Sequence, residues 1–176
     1  MQRYHPLLVA LHWLMALMVL LSLAAGGVFL ANMPPDSAQK LQGLGGHMAF
    51  GMAIGALLIL RLATRLRTQH PPRASTGNEV LDRIGVATHW GFYMLLAGMV
   101  ATGLATAIGA GLFPIVYLGA ADTLPSELST LPQRAAHGII SKLLLALIAL
   151  HIAAAFYHQL VLKDNLLRRM WFGKRL

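Results

Sequence analysis

The chain has 176 residues, 57% of them hydrophobic and 11% charged, with a formal net charge of +8 and no cysteine. That composition belongs to a membrane protein rather than a soluble domain, and the missing cysteine excludes disulfides, thiolate metal ligands and the C-x-x-C-H attachment of a c-type haem. The positive charge does not point to nucleic acid, because Lys and Arg flank apolar stretches without the aromatic-basic interleaving that binding of single strands needs.

A short polar lead with Arg3 and His5 precedes the first apolar stretch, residues 7–31. Its basic start and the stretch Ser22-Leu23-Ala24 with Ala25, a candidate cleavage region, have some likeness to a secretory signal. The run is longer than a signal core and carries His12 and Trp13, so a retained helix is expected. Pro34 and Pro35 end it, since proline cannot continue a helix. The second span covers residues 43–66, with His47 near its start and Arg61, Arg65 and Arg67 at its end. Gly51 and Gly55 follow His47 at intervals of four on one helix face. Missing side chains there admit either a flat ligand or a neighbouring helix. A polar loop leads to the third span, residues 83–109, with His89 and Trp90 near its start and Gly98 and Gly103 further on. The loop after it holds Pro114, Pro125 and Pro132. Its apolar segment 112–118 is too short to cross a bilayer and is expected at the interface.

The fourth span, residues 135–162, is long enough to cross as one helix. It contains His137, His151 and His158, fourteen and then seven residues apart. Fourteen residues of helix rise about 21 Å with a residual rotation of roughly 40°, so the three rings lie near one face. Ionisable residues inside a membrane are costly and point to function. The expected fold is therefore all-α, a four-helix transmembrane bundle forming a single domain over residues 1–176. Eleven of the fourteen Lys and Arg residues fall in the N-terminal lead, the Arg61–Arg83 region and the tail. The positive-inside rule then puts both termini in the cytoplasm.

This orientation sorts the histidines by depth. His47 and His137 form an outer pair; His151 forms an inner group with His12 or His89; His158 lies close to the inner surface. Zinc wants three or four ligands, usually including cysteine or carboxylate, and none of the six acidic residues lies in the apolar part of a span. A bare pair of imidazoles suits a metal whose other four ligands come from a macrocycle, as in haem iron with two axial histidines from different helices.

Several motifs then carry a family resemblance: Leu11-His12-Trp13; Gly46-His47 with Gly51, Arg61 and Arg65; the paired histidines of the fourth span; and Lys163-Asp164-Asn165, Leu167, Arg169-Met170 in the tail. In order and spacing, over essentially the whole chain, they resemble the bacterial cytochrome b561 family. The resemblance implies a four-helix bundle in the inner (plasma) membrane with two non-covalent b-type haems. It implies His47 and His137 as axial iron ligands of the outer haem and His12 and His151 of the inner one, with His89 the alternative to His12. Gly51, Arg61 and Arg65 would complete the cofactor site, the arginines against haem propionates. Relatives in the family include b-type subunits of hydrogenases and formate dehydrogenases, and a stand-alone superoxide oxidase that reduces ubiquinone.

The compact loops suit the stand-alone type, an electron carrier between an outer donor such as superoxide and ubiquinone. Arg134 and Lys142, near His137, would draw a small anion on an outer face whose loop acids are Asp36, Asp122 and Glu127. His158 would hydrogen-bond a quinone or pass it protons. Two other readings remain at this level: a cytochrome b anchor subunit of a larger respiratory enzyme, and a proton-coupled transporter using histidines as a relay. The second lacks an intramembrane carboxylate.

Overall fold

The computed structural model describes residues 3–34, 36–121 and 123–173. Pro35, Asp122 and the tail cations Lys174 and Arg175 lie outside the described residues, as does the side chain of Glu127. Helix α1 spans Pro6–Ala24 and runs on through a π-helical turn, Ala25–Leu30. Helix α2 spans Ala38–Arg67, α3 Glu79–Gly109, the short α4 Leu112–Leu118, and α5 Pro132–Phe156, which continues through a second π-helical turn, Tyr157–Leu162. A 3₁₀ turn, Ser126–Thr130, precedes α5, and a single turn, α6, covers Leu166–Arg169. Four of these helices are long and apolar enough to cross a membrane, and the described residues contain no strand.

Helices α2 and α3 begin before their apolar runs, because polar residues supply the caps. Ser37 Oγ accepts from the Lys40 amide at 3.2 Å, and Asn78 Oδ1 accepts from the amides of Val80 and Leu81 at 2.9 and 3.3 Å. Each cap satisfies amides that a helix start leaves without partners. His5 does the same for α1, its Nδ1 accepting from the Leu7 amide at 3.3 Å.

The long helices pack in sequence, α1 on α2, α2 on α3 and α3 on α5, whereas α1 and α5 share no extensive interface. Buried residues recur on α1 at Leu8, Leu11, Met15 and Val19, a helical stripe that fastens the first span into the bundle. Val19, Ile54 and Leu144 form a core cluster with Phe92, Leu96, Met99 and Ile148 around it. Leu17, Ile59, Met94, Ile108, Ile139 and Leu160 are exposed. An apolar exterior around a thin core is stable when lipid is the solvent.

One end of the bundle gathers both termini and the loop between α2 and α3. The Tyr4 amide donates to the Arg169 carbonyl at 3.2 Å, and Arg169 Nη1 donates to the Pro72 carbonyl at 2.8 Å. At the other end α4 lies against α2 and α3. Gly111 and Gly119 flank α4 with φ of 59° and 67°, conformations that favour glycine. The Tyr117 hydroxyl donates to the Gly45 carbonyl at 2.9 Å. The short apolar segment therefore caps the bundle end.

Candidate functional site: two histidine clusters

Near the α4 end, His47 of α2 and His137 of α5 face each other with ring centres 6.1 Å apart. Their outward nitrogens are held. His47 Nδ1 lies 3.4 Å from Ser22 Oγ, and His137 Nδ1 lies 3.1 Å from both the Met99 carbonyl and Thr102 Oγ1. Partners on Nδ1 fix the ring and leave Nε2 as the free donor atom, the usual support for a metal-ligating histidine. Two glycines make the rings' positions possible. A Cβ at Gly26 would stand 3.1 Å from His47 Cε1, and one at Gly103 would stand 3.1 Å from His137 Cε1. Neither Gly26 nor the polar partners Ser22 and Thr102 stand out in the sequence, because their roles depend on which helix faces which.

Near the terminal end, His12 of α1 and His151 of α5 meet with ring centres 6.3 Å apart. His89 of α3 lies on the same ring at 5.6 Å, so three imidazoles gather where a pair was expected. Phe92 closes on His151 at 5.3 Å. Leu144, midway between His137 and His151, sits in the apolar cluster that separates the two groups.

The donor sets fit a macrocyclic iron centre. Two imidazoles bonded to one metal ion at about 2 Å, with each ring centre roughly 1 Å behind its nitrogen, stand about 6 Å apart. Both pairs have that spacing. No group of three or more His, Cys, Asp or Glu side chains among the described residues is arranged to hold a metal ion by itself. A metal ion held by either pair would take its remaining ligands from a cofactor.

The glycines of α2 divide by role. A Cβ at Gly55 would meet Val100 Cγ1 at 3.0 Å, so Gly55 serves helix packing; one at Gly51, a turn after His47, would meet nothing within 4 Å. Arg61 Nη1 donates to the Leu8 carbonyl at 2.8 Å, which puts its charge beside His12. Arg65 lies one turn further along, in reach of His89 and His70.

Arg134 lies within electrostatic reach of His47 and His137. With Lys142, Ser129 and Gly138 it lines an open cavity of about 300 Å³. At the opposite end His158 is paired with Asp164 at 2.6 Å, apart from the three clustered rings. At the same end, Gln159, Asn165, Leu167, Arg168 and Trp171 line a cavity of about 310 Å³. Gln159 Oε1 is buried with no hydrogen-bond partner among the described residues.

A bundle of apolar helices with paired histidines at two depths defines a membrane cytochrome of the b type. The chain matches the prokaryotic cytochrome b561 family over residues 3–173 and belongs to it. Among its relatives is a protein of Yersinia pestis named probable superoxide oxidase CybB, 28% identical over 177 residues, covering 99% of this chain and 98% of that one. The protein is thus a multi-pass membrane cytochrome b with an oxidoreductive, electron-transferring role.

Proposed function

We infer that the chain is a single-domain, two-haem cytochrome of the bacterial inner membrane that oxidises superoxide at its outer face and reduces ubiquinone at its inner face. The supporting observation is the repetition on α5 of one arrangement, a histidine ring about 6 Å from a partner ring, at His137 and again at His151. Fourteen helical residues separate the two by about 21 Å. When bound, haem iron supplies reversible one-electron chemistry at each pair.

The residues do the rest. His47 and His137 hold the outer haem; His12 and His151 hold the inner one, with His89 as a neighbour rather than a ligand. Gly51 leaves room for the macrocycle, and Arg61 and Arg65 face the inner propionates. Phe92, Leu144 and their neighbours exclude water between the pairs. In sequence, eleven of the fourteen Lys and Arg residues belong to the N-terminal lead, the Arg61–Arg83 region and the tail, which supports placing the terminal end in the cytoplasm. Arg134 and Lys142 draw superoxide toward the outer pair, since a charged rim of low dielectric focuses the field and raises association rates. His158 meets the quinone head at the inner end, beside the cavity at Gln159. The balanced reaction takes two superoxide ions, one quinone and two protons to two dioxygen molecules and one quinol.

The test has two stages. A dithionite-reduced minus oxidised spectrum of the purified protein shows b-type α bands, and a haem assay gives about two per chain. Stopped-flow mixing with superoxide then reduces the haem rapidly; the rate falls with added salt and by about tenfold or more in Arg134→Gln. No haem reduction by superoxide would leave a quinone-linked carrier with another donor.

A further inference from the structure

His158 sits in the π-helical turn Tyr157–Leu162, a local irregularity that recurs at functional sites. Its Nδ1 lies 2.6 Å from Asp164 Oδ2, and the two side chains are only 12% and 25% exposed. The chain is contorted to make this pair. Lys163 and Asn165, on either side of Asp164, have φ of 53° and 58°, and they are the only described residues other than glycine with positive φ. Asparagine tolerates that conformation; lysine gains nothing from it, and strain of this kind persists where the surroundings demand it. The Asp164 amide donates back to the His158 carbonyl at 3.3 Å. Asp164 Oδ1 accepts from the Leu166 amide at 2.9 Å. Holding the Leu166 amide thus uses one carboxylate oxygen, and the other is committed to His158.

An ionised carboxylate only accepts, so Nδ1 must carry its hydrogen whether the ring is neutral or charged. Proton gain and loss are then confined to Nε2. We propose that Asp164 positions His158 and balances its charge, so that Nε2 hands protons to the quinone. This rests on the reading that His158 meets the quinone. Each quinone takes two electrons arriving by way of the inner histidines and two protons. His158 gives its Nε2 proton to a quinone oxygen, is reprotonated from the adjacent aqueous face, and gives the second. Asp82 of α3 adds a second negative charge near the ring; its carboxylate accepts from Ser75 Oγ and Thr76 N, each at 2.7 Å. Tyr157 stands edge-on at 6.3 Å, and Lys163 is the adjoining cation.

The experiment follows reoxidation of the pre-reduced holoprotein by ubiquinone-1 across about pH 6 to 9. Asp164→Asn is expected to keep both haems and their reduction by the donor. It should slow reoxidation about tenfold, below the roughly 10²–10⁴-fold that a general acid itself supplies. The pH profile of reoxidation should change with it, and Asp164→Glu, which keeps the carboxylate, should restore much of the rate. In a His158→Ala background, Asp164→Asn should add nothing. A normal rate and pH profile in Asp164→Asn, with His158→Ala slow, would overturn the proposal. So would additive losses in the double variant. A normal rate in His158→Ala would instead remove the quinone contact itself, and this inference with it.

Discussion

The two ring clusters differ in how their histidines are held, and that difference predicts how each responds to substitution. At the outer pair, Ser22, Thr102 and the Met99 carbonyl hold the Nδ1 atoms, and each ring has one partner. His137→Ala is expected to remove the outer haem and leave the inner one, and His151→Ala the reverse, as counted by haem assay and read from the α band. Two haems remaining in both variants would refute these ligands. At the inner cluster His12 and His89 both face His151, so geometry alone leaves a choice. Loss of one haem in His12→Ala, with both retained in His89→Ala, is the expected pattern; the opposite pattern would make His89 the ligand.

Helix α2 shows how one element serves packing and the site through residues a turn apart. Gly55 lets Val100 of α3 approach, and any larger side chain there must displace it. Gly55→Leu is therefore expected to destabilise the bundle by about 1–3 kcal/mol, the usual cost of overpacking, measurable by thermal unfolding in detergent. Gly51 faces open space, so Gly51→Leu should leave apoprotein stability nearly unchanged and lower the haem count. Equal loss of haem in both variants, or stability loss in Gly51→Leu without haem loss, would contradict this division. The sequence put both glycines on one face and offered helix packing or ligand approach for them. Periodicity cannot choose between these, because it says nothing of what lies opposite.

For the whole molecule, the thin seam between α1 and α5 is the feature that matters most. The close backbone contacts run α1–α2–α3–α5, and α1 and α5 approach each other mainly through the core cluster that holds Val19 and Leu144. His12 and His151 meet across this thin seam, so a ligand held by both ties the first helix more firmly to the last. A ligand that binds only the folded state stabilises it by about 4 kcal/mol at a thousand times its dissociation constant. Removing haem is thus expected to lower the unfolding midpoint and to expose α1 to proteolysis before the other helices. Re-addition of haem should reverse both. Equal protease sensitivity of all four spans in the apoprotein would show that the seam is not bridged.

The class, the four spans and the histidine depths were legible in the sequence because each is a one-dimensional property. Apolar run length is set by bilayer thickness, and depth on a helix is residue count times rise. His137 and His151 could be placed on one face of one helix without any partner known. What only the tertiary structure decided depends on facing: His89 joining His12 against His151, Gly26 and Gly103 making room for rings on other helices, and Gly55 parting from Gly51. The Asp164–His158 pair belongs there too, since two left-handed residues and a π-helical turn bring together side chains that a regular helix would hold apart. Such contacts depend on helix rotation and local departures from regular geometry, which an apolar pattern leaves free.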